Sequence, residues 1–286
     1  MSIDVHQHLW TDSFVEALRA RTAPPRLDGW TLLLYGEPPY QVDPASHDPA
    51  TRETGDLALV SLSSPLGIET LPPEESWPLI DAYHDGALAL PGRFGAWAAT
   101  CHSEIDPARL AKDLDRGFAG LQIPATADPD DRLLDLLAER DLPLFVHPGP
   151  AVGEPGRPGW WPALVPYVQQ MHAAWHHFHS VVRPRHPRLR VCFALLAGLA
   201  PLHSERLIAR GGQGRGLVDP DCFVETSSYG PRAIDAIVRE LGVDVVVNGS
   251  DAPYATAPDP GLGGAAAHAI RVTNPRRLLG RKENRT

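Results

Sequence analysis

The sequence predicts an α/β chain whose strands close into a TIM-type (β/α)8 barrel, with long βα loops after strands one and five. Three observations carry that expectation. Short β-branched or apolar runs alternate with longer stretches of helical periodicity, which is the rhythm of repeated βα units. The strand-like runs number about eight, the closure number of such a barrel. A length of 286 residues also suits a fold that commonly occupies about 250.

In chain order, strands are predicted over Ile3 to His8, Leu57 to Leu62, Phe94 to Ala99, Gly120 to Ile123, Leu144 to His147, Arg190 to Leu195, Phe223 to Thr226 and Val243 to Gly249. Between them, Glu74 to Ala89, Pro107 to Gly117, Asp131 to Arg140 and Pro231 to Leu241 place apolar residues at helical spacing, as helices of an outer ring should. Proline-rich loops follow the first strand (Ala23-Pro24-Pro25, Glu37-Pro38-Pro39) and the fifth (Pro148 to Pro162). The strand–helix rhythm resumes after each of them. One domain over residues 1–286 is therefore the simpler account, and no internal repeat is visible. The stretch from Thr11 to Thr54 is long enough for a lid, or for a fixed excursion seated on the barrel.

Composition narrows the function classes. A hydrophobic content of 43% is ordinary for a globular chain and argues against disorder. The formal charge of -9 argues against a nucleic-acid partner, which would require clustered cations. No apolar run reaches the roughly 18 to 20 residues of a membrane helix. The opening Met1-Ser2-Ile3-Asp4-Val5-His6 carries no basic segment followed by a long apolar one, so no secretory signal is expected. Cys101, Cys192 and Cys222 share no CxxC spacing and are odd in number, which favours a reducing compartment. A cytoplasmic location is the expectation.

The strongest chemical signal opens the chain, in Asp4-Val5-His6-Gln7-His8-Leu9-Trp10. Residues two apart on a strand share a face, so His6 and His8 project together, into the interior on a first barrel strand. Two adjacent imidazoles suit a divalent metal, although His-x-His also arises by chance in a chain with 13 histidines. Two further strand ends strengthen the metal reading. Leu144-Phe145-Val146-His147-Pro148-Gly149 ends a strand in histidine, and Val245-Val246-Val247-Asn248-Gly249-Ser250-Asp251 ends one in a carboxylate. Catalytic groups of this architecture come from the C-terminal rim, where both would sit. His6, His8, His147 and Asp251 together make a catalytic zinc-type set.

Those motifs, with Gly249-Ser250-Asp251-Ala252-Pro253-Tyr254 and the closing Asn274-Pro275-Arg276-Arg277-Leu278-Leu279-Gly280, resemble the amidohydrolase-related family. Its members include aminocarboxymuconate semialdehyde and gamma-resorcylate decarboxylases. The resemblance spans essentially the whole chain. It implies a distorted barrel, one divalent metal on the four residues above, a small-molecule substrate, and hydrolytic or nonoxidative decarboxylase chemistry. It leaves room for a homodimer. Two positions depart from the family pattern. Leu195 stands where strand six usually ends in a histidine, and Ala252 stands where an arginine is common. Lysine is scarce as well: Lys112 and Lys282 are the only two, and neither lies near Gly120-Leu121-Gln122-Ile123-Pro124. Binuclear members of the wider superfamily bridge two metals with a carboxylated lysine there, so one metal is expected. Zinc is preferred, with manganese and iron as alternatives.

The leading expectation is a metal-dependent hydrolase of a small cyclic or aromatic substrate, using a metal-activated water with Asp251 carrying its proton. The alternative is a decarboxylase of an aromatic or enol-like acid, and a noncatalytic metal-binding descendant is a third reading. Hydrolysis is placed first because decarboxylation in the relatives leans on the missing strand-six histidine. His102, just past strand three, is the candidate for further acid–base work, against a solvent-facing loop role. Trp10, Tyr254 and His176 are candidate substrate contacts, His176 sharing a helical face with His172. His203 follows strand six, where a structural contact is expected. Glu225 and Asp4 are in position to support ligand histidines.

Overall fold

The computed structural model describes residues 1–151, 156–212 and 218–280. Its barrel strands are β1 (Ile3–Gln7), β5 (Leu57–Val60), β6 (Phe94–Ala96), β7 (Leu121–Pro124), β8 (Leu144–His147), β9 (Val191–Phe193), β10 (Cys222–Glu225) and β11 (Val246–Val247). These are the eight predicted strands: Leu144–His147 is as expected, β7 and β10 are displaced by one residue, and the other five are shorter. Strands covered on both faces read as near-continuous apolar runs, which is why periodicity located them. They pair in parallel in the orders β1-β5-β6 and β7-β8-β9-β10-β11. Two single bridges join the sheets into a ring, Ala98 with Leu121 and Gln7 with Ala252. Val5 N also donates to Asn248 O at 2.9 Å across the second seam. The barrel is distorted because its two seams are held by bridges rather than by ladders.

Two predicted strands are shorter for a local reason. β9 stops at Phe193 because Leu195 turns its N–H away from the ladder, to a carboxylate of Glu225 at 2.7 Å. In the eighth, Val243–Val245 forms a 3-10 turn before β11. The predicted outer helices lie at Pro73–Leu88, Pro107–Asp115, Asp131–Glu139 and Pro231–Leu241. Asp106 and Asp130 cap the second and third by accepting from Arg109 N and Arg132 N. The barrel centre is filled by aromatic rings: Trp97 stacks on Phe145 at 5.1 Å and donates Nε1–H to Val5 O at 2.9 Å.

The excursion between β1 and β5 is a seated subassembly. It holds a helix (Asp12–Arg19) and a three-stranded antiparallel sheet, β2 (Arg26–Asp28), β3 (Thr31–Leu33) and β4 (Tyr40–Gln41). Leu18, Leu27, Leu32 and Val42 bury their side chains beneath it. Arg52 ties its end to the barrel, donating to the carbonyls of His8 and Ala252 at 2.9 Å each, and to that of Ser46. After β8, residues 152–155 of the proline-rich stretch lie outside the described residues, as does Lys282. A helix, Pro166–His177, then returns toward β9. All three cysteines are free and buried, and no helix among the described residues is long and apolar enough to cross a membrane.

Candidate metal centre

His6, His8, His147 and Asp251 each present one ligand atom within 4.8 Å of the others. Strand alternation delivers His6 and His8 from β1 and its extension, and β8 ends on His147. Asp251 follows β11 in a left-handed backbone conformation (φ 57°), held there as its N–H donates to His6 O at 2.8 Å. The three rings lie 4.8 to 5.0 Å apart, centroid to centroid. His6 Nε2 and His8 Nε2 are 3.0 Å apart, and Asp251 Oδ1 is 3.4 and 3.2 Å from them.

The opposite ring nitrogens decide what this cluster can hold. His6 Nδ1 lies 3.2 Å from Glu225 Oε1, His8 Nδ1 3.0 Å from Ser61 O, and His147 Nδ1 2.8 Å from Pro148 O. An oxygen beside each Nδ1 requires the proton there, so the remaining nitrogens turn lone pairs toward one another and toward a carboxylate. Such a convergence of donors with no proton between them suits a cation. Three nitrogens and one oxygen match a single divalent transition-metal ion.

Electrostatics agrees with that reading for two of the three rings. Burial pushes His147 well down, helped by the neighbouring His6 and His8. Burial also lowers His8, with His6 adding to it. Both rings are thus held neutral, the form that ligates. Burial would lower His6 too, but Asp251, Glu225 and Asp4 around it outweigh burial and raise it. Burial would raise Asp251, yet His6 and His8 hold it below the ordinary carboxylate value. Its side chain is 17% exposed, against 0% and 2% for those of His6 and His8. Asp251 therefore meets whatever enters the mouth.

Glu225 braces the centre. Its Oε1 accepts from Leu195 N and Ser227 Oγ, each at 2.7 Å, besides facing His6, and its Oε2 accepts from Ser227 N at 2.6 Å. A β-carbon added at Gly249 would stand 2.1 Å from Oε2, so the neighbouring strand end must be glycine for this carboxylate to fit. Asp4 holds the adjoining backbone, accepting from His6 N, Gln7 Nε2 and Ser250 N at 3.1, 2.9 and 3.0 Å.

The other predicted site residues fare differently. Tyr254 stands at the mouth: it is 49% exposed and its ring lies 5.6 Å from that of His8. Burial of its hydroxyl end and the Asp251 charge push its phenol up. Trp10 is 4% exposed, stacks on His47 and donates Nε1–H to Ser63 Oγ at 3.1 Å. It is a buried brace for the excursion. His102 is not brought to the cluster. Its N–H donates to Glu69 O at 2.7 Å, its side chain faces Asp130, and burial lowers it to about 4. His176 joins a second histidine group on the helix Pro166–His177, apart from the metal centre. Leu195 opens a run, Leu195 to Leu199, in which all five residues have positive φ.

Sequence reasoning missed Tyr167, which shares the electrostatic environment of Asp251 and Tyr254, and Glu37, whose charge acts on Tyr167. Tyr167 lies on the helix after β8 and Glu37 in the excursion. Neither carries a motif, because only tertiary folding brings those segments over the mouth. Arg52 was missed for the same reason.

No protein-family model matches the chain, and no curated protein does. Solved structures do match. An apo IDCase from Metarhizium anisopliae superposes with a TM-score of 0.71 at 18% identity, over 99% of this chain and 98% of that one. The likeness is one of fold. The 5-carboxyvanillate decarboxylase of Novosphingobium aromaticivorans, solved with manganese and 3-methoxy-4-hydroxy-5-nitrobenzoic acid, gives 0.72 at 17% identity over 98% and 97%. A 2,6-dihydroxybenzoate decarboxylase from Rhizobium gives 0.67 at 17% over 98% and 99%.

Proposed function

We propose that the chain is a metal-dependent enzyme of the amidohydrolase type. We propose further that it is a nonoxidative decarboxylase of a hydroxylated aromatic or enol-like acid. The observation that carries the reading is the convergence of three singly oriented imidazoles and one carboxylate at the open end of the barrel. The near-full-length likeness in fold to decarboxylases supports placing this reaction ahead of hydrolysis, reversing the order taken from sequence.

A divalent ion on His6, His8, His147 and Asp251, zinc or manganese, would supply a Lewis acid for the substrate carboxylate and its neighbouring hydroxyl. The chain's own residues do the rest. Asp251, exposed toward the mouth, takes a proton from solvent water entering there and passes it to the ring carbon that bears the carboxylate, which returns Asp251 to its ionised form. The bond to the carboxyl carbon then breaks, its electron pair returns to the ring and carbon dioxide leaves. Tyr254 and Tyr167 offer the flat walls an aromatic ring needs.

Hydrolysis remains the second reading because two observations favour it. Leu195 places no proton donor at the end of strand six. Ala252 offers no cation to a substrate carboxylate, and the nearby Arg52 is occupied by backbone carbonyls. The two reactions are separated by product analysis. Zinc- and manganese-loaded protein is screened on hydroxybenzoates, lactones and amides in 18O-labelled water. The decarboxylase reading requires released carbon dioxide, suppressed by Asp251→Asn. Label in the product without carbon dioxide overturns it in favour of hydrolysis.

A further inference from the structure

Outside the metal centre the chain carries a second trio of imidazoles. His172 and His176 stand one turn apart on the helix Pro166–His177, with ring centroids 5.0 Å apart. His203 reaches them from the segment after β9, its ring 4.8 Å from that of His172. His172 thus stands between the other two at spacings like those of the metal centre, where the rings lie 4.8 to 5.0 Å apart. His172 and His176 are half-buried and His203 is exposed, so solvent and ions reach them.

We propose that His172, His176 and His203 form a second site for a divalent transition metal, of the zinc, nickel or copper class, that clamps the helix after β8 to the segment after β9. Two imidazoles at i and i+4 plus a third from a facing element is a donor set that selects those ions over magnesium or calcium, which want oxygen. In this structure the ring planes are set at 54° and 74° to one another. Among the described residues only the barrel set already gathers its ligand atoms within 4.8 Å of one another; at the second trio an ion would have to turn the terminal side-chain torsions, which are broad and soft in histidine. Partial burial, with repulsion from the neighbouring rings, lowers His172 and His176, which keeps them in the neutral form that ligates.

The clamp has mechanical work to do where it lies. The segment it would hold begins with the run Leu195 to Leu199, where φ runs from 47° to 61°. Four of those five residues are not glycine, and a left-handed conformation costs each roughly 1–2 kcal/mol. The fifth, Gly198, lies so close to the helix that a β-carbon there would stand 2.6 Å from Val168 O. Helix and run are therefore seated on each other, and a metal bridging them opposes the run's tendency to relax. At its far end the run is tied to the metal centre, because Leu195 N and His6 Nδ1 share Glu225 Oε1.

Zinc binding to the full chain tests this by equilibrium dialysis with elemental analysis, folding being checked by circular dichroism. The wild type is expected to take up two equivalents. His172→Gln with His203→Gln is expected to lose one and keep the other, whereas His8→Ala with His147→Ala loses the opposite one. A wild type that saturates at one equivalent, or a His172→Gln/His203→Gln variant that binds as much zinc as the wild type, overturns the proposal. A second readout tests the clamp itself. Zinc added to the His8→Ala/His147→Ala protein is expected to raise its Tm, since an ion bound only to the folded state stabilises it. No rise, or an equal rise when His172 and His203 are also replaced, overturns it too.

Discussion

Two trios of histidine stand on this molecule, one with all three rings in mutual contact and one in which His172 links the other two, and what surrounds them differs. In the barrel, every ring has its outer nitrogen held by an oxygen, of Glu225, Ser61 or Pro148, and a carboxylate completes the set. On the helix Pro166–His177 and its neighbour, the rings stay partly open to water. The first trio is fixed before any ion arrives, and the second must rotate to receive one. Ligand identity and spacing thus define what a site can bind, while the hydrogen bonds behind the ligands define how tightly it does so.

The largest expected effect breaks the barrel trio itself. His147→Ala removes one of three nitrogens from a preorganised set. Metal affinity, read by competition with a chelator, should fall well beyond the roughly 100-fold that losing a supporting partner costs. His176→Ala should leave that tight equivalent untouched. If the two substitutions weaken it equally, the environments of the trios do not differ in the way described above.

This contrast also explains what the sequence could disclose. His6, His8, His147 and Asp251 were legible because each ends a strand, and period-two alternation with barrel topology then dictates where it points. Glu225 was legible by the same alternation. The surroundings of Trp10 were not legible because they are set by the excursion: His47 and Ser63, 37 and 53 residues away, supply its partners. His102 lies just beyond the ladder, where strand phase no longer fixes a side chain, and the turn directs it to Asp130 instead. His176 sits on a helix whose seating depends on the left-handed run after β9, and no pattern in Leu195-Leu196-Ala197-Gly198-Leu199 announces that run. Tyr167 and Glu37 come from segments far apart in sequence that meet only over the mouth. Local periodicity encoded the scaffold, and the loops that line its opening are encoded in tertiary contacts.

A buried carboxylate elsewhere near the barrel mouth sharpens the same lesson. Glu69 is fully buried, receives a hydrogen bond from Ser64 Oγ on Oε1, and has no partner on Oε2 among the described residues. Burial raises it to about 7 from the ordinary 4.5. A carboxyl raised on folding contributes its full stability below pH 4.5, and that contribution is lost as pH rises through about 7. By pH 8 the folded state carries a buried charge that costs about 3 kcal/mol. Glu69→Gln keeps the shape without the charge. It should raise the urea midpoint at pH 8 by an amount worth up to about 3 kcal/mol and change it little at pH 4.5. Comparing variant with wild type at each pH cancels the opposite trend of His47, His102 and His179. Burial lowers those three to about 4, so their contribution is lost as pH falls below about 6.5. A gain of equal size at both pH values would mean that Glu69 is neutral throughout and that its unpartnered oxygen has a donor in solution.

Glu225 is the opposite case, a buried carboxylate whose oxygens are fully engaged, and the smallest expected effect tests whether that engagement is what distinguishes the barrel trio. Glu225→Gln preserves volume but turns one oxygen into an N–H2 group. Donors already crowd both positions: Leu195 N, Ser227 Oγ and the protonated Nδ1 of His6 face Oε1, and Ser227 N faces Oε2. Whichever way the amide turns, two donors confront each other, and the displaced partner is either Ser227 N or the set that includes His6. Loss of that support should weaken metal binding by roughly 10- to 100-fold without abolishing it. Gly249→Ala should reproduce the loss by a different route, because its β-carbon would press on Oε2 from 2.1 Å and push the carboxylate off His6. A matched decrease in both variants assigns the tightness of the barrel site to the orientation of His6. A Glu225→Gln protein that binds metal as tightly as the wild type would mean that ring spacing alone suffices, and the two trios would then differ only in their exposure.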